Sequence, residues 1–110
     1  MQVKSEKVVR VWRIEDDYRD GPYVEVGKDT YEIIGSHTSS NGHPPPIHDN
    51  GIMRYVGANE QCGFLNLKQV YDWFSKKELQ ELEEKGFKLK RVLAKYITAI
   101  GEKQVLFERR

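Results

Sequence analysis

Residues 65–107 read LNLKQVYDWFSKKELQELEEKGFKLKRVLAKYITAIGEKQVLF, and they decide the fold because each change of pattern is marked by local chemistry. Asn66 followed three residues later by Gln69 is a capping box, in which each side chain satisfies a backbone N–H at a helix start, and Leu65 and Val70 are spaced to staple across it. Ser75 with Glu78 repeats the box, and Phe74 with Leu79 repeats the staple. Two short consecutive helices are predicted. The first would bury Leu67, Val70, Tyr71 and Phe74 at helical spacing, and the second, over residues 76–85, would present Leu79 and Leu82. Gly86 stands where the chain must turn left-handed, with Phe87 placed to fold back on Leu82. The stretch FKLKRVLAKYITAI then reads as a strand, and Gly101 begins a turn into Gln104-Val105-Leu106-Phe107, which predicts a C-terminal hairpin.

Working back from this region, Cys62-Gly63-Phe64 predicts a short strand in which Gly63 lets another backbone come close. Residues 35–51, GSHTSSNGHPPPIHDNG, hold all three histidines and three of the four prolines and have no hydrophobic periodicity. They predict a long surface loop whose middle is stiffened by Pro44, Pro45 and Pro46. VVRVWRI at residues 8–14 is a first strand, with Val9, Val11 and Arg13 on one face and Val8, Arg10, Trp12 and Ile14 on the other. After the Gly21-Pro22 turn, Tyr23-Val24-Glu25-Val26 and residues 30–34 are further short strand candidates. The order gives an α+β class: a small, mostly antiparallel sheet with two short helices before the hairpin, in a single domain over residues 1–110.

Composition narrows the function. No apolar run approaches the roughly 18 residues of a membrane span, and residues 1–10 lack a secretory pattern, so a cytoplasmic protein is expected. One cysteine, Cys62, excludes a disulfide framework and a cysteine-based zinc site. Eighteen Lys+Arg against 17 Asp+Glu, a net charge of +1, argue against a dedicated nucleic-acid-binding module. The charges are segregated, with an acidic excess in residues 1–60 and a basic one in residues 75–110.

Several side chains are candidates for a site. Arg13 on a strand face would be costly to bury alone, so it either faces a cleft, where its planar fork suits phosphate, or pairs with Glu32 or Glu25. Tyr23, fixed by Gly21-Pro22, could edge a cleft or pack in the core. Phe64 could stack on a planar ring or fill the core. His43 and Asp49 could act as acid, base or hydrogen-bonding groups. His37, His43, His48 and Asp49 have no recognised zinc spacing, and no metal site is expected. Cys62 has no flanking His or Arg to activate it, and Ser36, Ser39 and Ser40 lack a nucleophile elbow.

The strings V-W-R-I-E at residues 11–15, G-P-Y at 21–23, H-P-x-P-x-x-D at 43–49, C-G-F at 62–64, W-F at 73–74 and Q-V-L-F at 104–107 resemble small proteins carried by bacteriophages and prophages. The arrangement is also similar to a minimal ADP-ribosyltransferase. That resemblance places Arg13 at the first-strand motif, Phe64 at the aromatic before the helix, and Gln104 at the late-strand position. Gln104 departs from the family's glutamate: a neutral amide can hold a ribose hydroxyl but supplies no charge to an oxocarbenium-like transition state. The resemblance implies a surface cleft for NAD or a related nucleotide. In it Arg13 would orient phosphate, Tyr23 and Phe64 would contact the ligand, His43 or Asp49 would handle a proton, and Gln104 would position the ribose. A phage inhibitor that binds and blocks a host defence protein, without catalysis, is the alternative expectation.

Overall fold

The computed structural model describes residues 9–23 and 30–110. The strand candidate at 23–26, beyond Tyr23, and the pairing candidate Glu25 lie outside the described residues, as does Val8. The elements are β1 (Val9–Glu15), a helical turn α1 (Tyr31–Ile34), β2 (Glu60–Gly63), α2 (Leu67–Trp73), α3 (Lys76–Glu84), β3 (Lys88–Ile100) and β4 (Val105–Arg109). The four strands among the described residues form one antiparallel sheet in the order β1-β3-β4-β2. This is the expected α+β class, with two consecutive helices before the C-terminal hairpin.

The sheet curls until its two edges meet at a single point, where Trp12 and Phe64 exchange both backbone hydrogen bonds at 2.8 Å. Gly63 makes the approach feasible, since a Cβ there would stand 3.0 Å from the Trp12 carbonyl oxygen and from the Phe107 ring. Strand alternation then divides the core in two. Val11, Val92, Ala94, Val105 and Phe107 fill one face of the curled sheet, while Ile14 packs with Ile34, Phe64, Val70, Trp73, Phe74, Leu82 and Phe87 under the helices.

Local chemistry sets the helix ends. Ser75 and Glu78 form the complete reciprocal box at 3.1 and 2.8 Å. At α2 the box is shifted by one residue: Asn66 Oδ1 accepts from the Gln69 N–H, but Gln69 Oε1 takes the N–H of Leu65. Leu65 packs with the other core cluster, away from Val70. Gly86, at φ +94°, ends α3, with its N–H on the Glu83 carbonyl and the Phe87 N–H on that of Leu82, as the sequence predicts.

Two expectations need correction. Residues 30–34 form no strand; α1 is one helical turn, because Thr30, Ile33 and Ile34 supply the i, i+3, i+4 spacing that meets the core. In α2 the buried face runs through Val70, Trp73 and Phe74, and Leu67 and Tyr71 are exposed, since a seven-residue helix presents one narrow stripe and bulky Trp73 takes it. Residues 35–51 lie at the surface except at Asp49. They contain two single 3-10 turns, Ser39–Asn41 and Pro46–His48, and carry Asp49 into the interior.

Candidate functional site

Beyond the Trp12–Phe64 bridge the edges of β1 and β2 diverge, and a side chain spans the gap: Arg13 Nη1 donates to the Cys62 carbonyl at 2.6 Å. A cleft of about 450 Å³ opens at this seam. Its walls are Arg13 and Ile14 from β1, Gly21, Pro22 and Tyr23 from the following turn, Cys62 and Phe64 from β2, Trp73 and Phe74 from α2, Gln104 from the hairpin, and His37 to Ser39 with His43 to Pro46 from the histidine- and proline-rich segment. Five of the six side chains singled out in the sequence therefore converge: Arg13, Tyr23, His43, Phe64 and Gln104.

Asp49 is placed apart from them. It is buried, and its two oxygens accept backbone N–H groups of Glu102, Lys103 and Gln104 at 2.9 to 3.3 Å. The carboxylate thus pins the histidine-rich segment to the β3–β4 turn, and Gly101 backs directly onto it. Gln104 completes the attachment by donating its side-chain N–H to the Pro44 carbonyl at 2.7 Å.

Arg13 is not paired with Glu32. Its Nε donates to Glu15 at 2.9 Å, and Nη2 to the Arg19 carbonyl at 3.2 Å. Glu15 is 1% exposed and also receives a bidentate pair from Arg109 at 2.7 and 2.8 Å. Burial alone would raise the Glu15 carboxyl, but Arg109 and then Arg13 outweigh it and hold it below its ordinary value. The i, i+2 spacing on one strand face was the available signal for the Arg13–Glu15 pair.

The polar wall joins Tyr23 to Trp73 and to His37, which Glu78 backs, three residues that sequence reading left out of the cleft. Trp73 Nε1 can only donate, so the Tyr23 oxygen accepts it at 2.7 Å and the Tyr23 hydroxyl donates to His37 Nδ1 at 2.6 Å. His37 Nε2 then carries the proton and donates to Glu78 at 2.9 Å. Although the Tyr23 ring is half-exposed, its hydroxyl end is desolvated, which pushes the phenol above its ordinary value. Burial likewise pushes His37 below its ordinary value, against the opposing pull of Glu78. Burial disfavours the Glu78 anion, yet the Ser75 N–H and His37 hold its carboxyl low.

His43 stacks face to face on His37, with centroids 3.8 Å apart and planes 5° from parallel, and donates from Nε2 to the Trp73 carbonyl at 2.6 Å. Its Nδ1 is buried with no hydrogen-bond partner. The Cys62 thiol is pushed up by burial, with Arg13 opposing. Among the described residues no group of three or more His, Cys, Asp or Glu side chains could hold a metal ion. What the cleft offers is aromatic and proline faces rimmed by imidazole, phenol and hydroxyl groups.

The fold has no helix among the described residues long and apolar enough to cross a membrane. No curated protein and no solved structure matches the chain. A family model described as Bacteriophage T4 Y00F protein matches residues 1–110. With a match over that span, the chain belongs to the Bacteriophage T4 Y00F protein family.

Proposed function

We propose that the cleft binds a small molecule carrying a planar nitrogen heterocycle, of the kind that NAD and related nucleotides present. The observation that carries this reading is the convergence of Phe64, Trp73 and the stacked His37–His43 pair on one 450 Å³ space. That volume falls within the ~300–1,000 Å³ of small-molecule sites. Transfer of ADP-ribose has less support than recognition. Gln104 has its amide N–H on Pro44, Asp49 is held by the hairpin turn, and neither offers a free carboxylate to a developing cation.

Thermal unfolding against nicotinamide, NAD, ADP-ribose and nucleosides at millimolar concentration tests the reading. A ligand at 100 times its Kd adds about 2.7 kcal/mol of stability, a rise of roughly 10 °C in Tm for a domain of this size. Ser39→Trp, which fills the cleft from an exposed position, should melt like the parent and lose the rise. No shift with any compound overturns the proposal.

A second reading, a non-catalytic inhibitor of a host protein, is favoured by a different observation: Met53, Tyr55 and Val56 are exposed together just before β2. Retention of a partner by the S39W variant and its loss on Tyr55→Ala would select this reading over the first.

A further inference from the structure

The charge of the ligand can be read from what the cleft side chains already hold. Among the described residues Arg13 is the one lysine or arginine on the walls of the cleft. Three of its five N–H groups are directed to the buried Glu15 carboxylate and to the Cys62 and Arg19 carbonyls, so a phosphate drawn to it would share a guanidinium whose charge is already paired. Drawing Arg13 away from Glu15 would leave the buried carboxylate to Arg109 alone, at a cost in stability. The negative charge of Glu78, directly behind His37, further disfavours an anion on the histidine side. The remaining described groups facing the space include no lysine, arginine or carboxylate: they are aromatic rings, imidazoles, prolines, an amide, a phenol, a thiol and hydroxyls. An anion entering this low-dielectric, largely apolar cleft would find, among the described residues, only the already engaged Arg13 guanidinium to compensate it.

We infer that the cleft takes the uncharged heteroaromatic compound itself, a nucleobase, a nucleoside or a nicotinamide-type carboxamide, and discriminates against its phosphorylated forms. The inference rests on the small-molecule reading of the site and narrows it to one chemical class. Phe64 and Trp73 supply faces for the ring, and the hydroxyls of Thr38 and Ser39, at the mouth, suit the edge of a base or the hydroxyls of a sugar.

The test titrates the full chain calorimetrically with matched pairs: uridine against its monophosphate, and adenosine against its monophosphate. Alkylation of the cleft-lining Cys62 by a maleimide is followed in parallel. Expected are at least tenfold tighter binding of the uncharged member in a pair, little dependence on salt, and slower alkylation of Cys62 when that member is bound. Tighter binding of the monophosphate overturns the inference while leaving the small-molecule site standing. Binding by no compound overturns both. Binding that leaves the alkylation rate unchanged places the ligand elsewhere and overturns the assignment to this cleft.

Discussion

Asp49 carries a carboxylate into the interior and commits both oxygens to backbone N–H groups that touch it in space but stand more than 50 positions distant in sequence. As a candidate acid or base it would be replaceable without harm to the fold; as an anchor it is not. Asp49→Ala strands the N–H groups of Glu102, Lys103 and Gln104 and should cost about 3 kcal/mol, read as a lowered urea midpoint. A loss below about 1 kcal/mol would contradict the anchoring role. The sequence showed that Asp49 was a polar residue in an unusual segment but not which backbone it would meet. The same holds for His37 and His43: their partners Glu78 and Trp73 lie 41 and 30 positions away, beyond any local pattern. Arg13 was legible as a strand arginine in need of a carboxylate, and the right one stood two residues along the same strand.

Among the elements, those whose boundaries depend on contacts within a few residues were legible. The Ser75–Glu78 box, the Gly86 stop and the Gly101 turn all follow from backbone groups that must be satisfied locally. What failed was orientation. Leu67 and Tyr71 have helical spacing as good as that of Val70 and Trp73, and only the sheet beneath decides which stripe is buried. Residues 30–34 are too few to separate a strand from a single helical turn. Glu78 gives α3 a double attachment, since one oxygen caps the helix at Ser75 and the other holds His37. Ser75→Ala should therefore cost about 1 kcal/mol, whereas Glu78→Ala should cost more and also loosen the cleft wall. Chemical denaturation of both variants, with the His37 proton resonances as a local reporter, checks the order. Equal losses with His37 undisturbed would refute the double role.

Across the whole molecule, stability depends on pH through groups shifted in a known direction. His37 has a folded pKa below its ordinary 6.5, so the unfolded chain takes up the proton first. Its contribution is complete above pH 6.5 and is lost as pH falls from there towards the folded value. Glu15 and Glu78 are held below 4.5, and Glu60 is held at about 2 by Arg54, Thr98 and the Gly57 N–H. Their contributions are present above about pH 4.5 and are lost as pH falls through the folded values. Urea midpoints should be level above pH 7, decline first below 6.5, and drop more steeply below 4.5. His37→Gln should remove the first decline and keep the second, and an unchanged profile in that variant would refute the assignment.

The placement of β1 at one edge of the sheet also fixes the order in which the chain can be completed during synthesis. Glu15 and Arg109 are 94 positions apart, and β1 pairs with β3 through residues 88–94. At about 5–20 residues per second, translation leaves the apolar β1 strand without its neighbour, and Glu15 without Arg109, for roughly 5–20 s. During that interval Val9, Val11, Trp12 and Ile14 form a nascent strand free to pair with other chains, and the charges of Arg10, Arg13 and Glu15 between them act as its protection against aggregation.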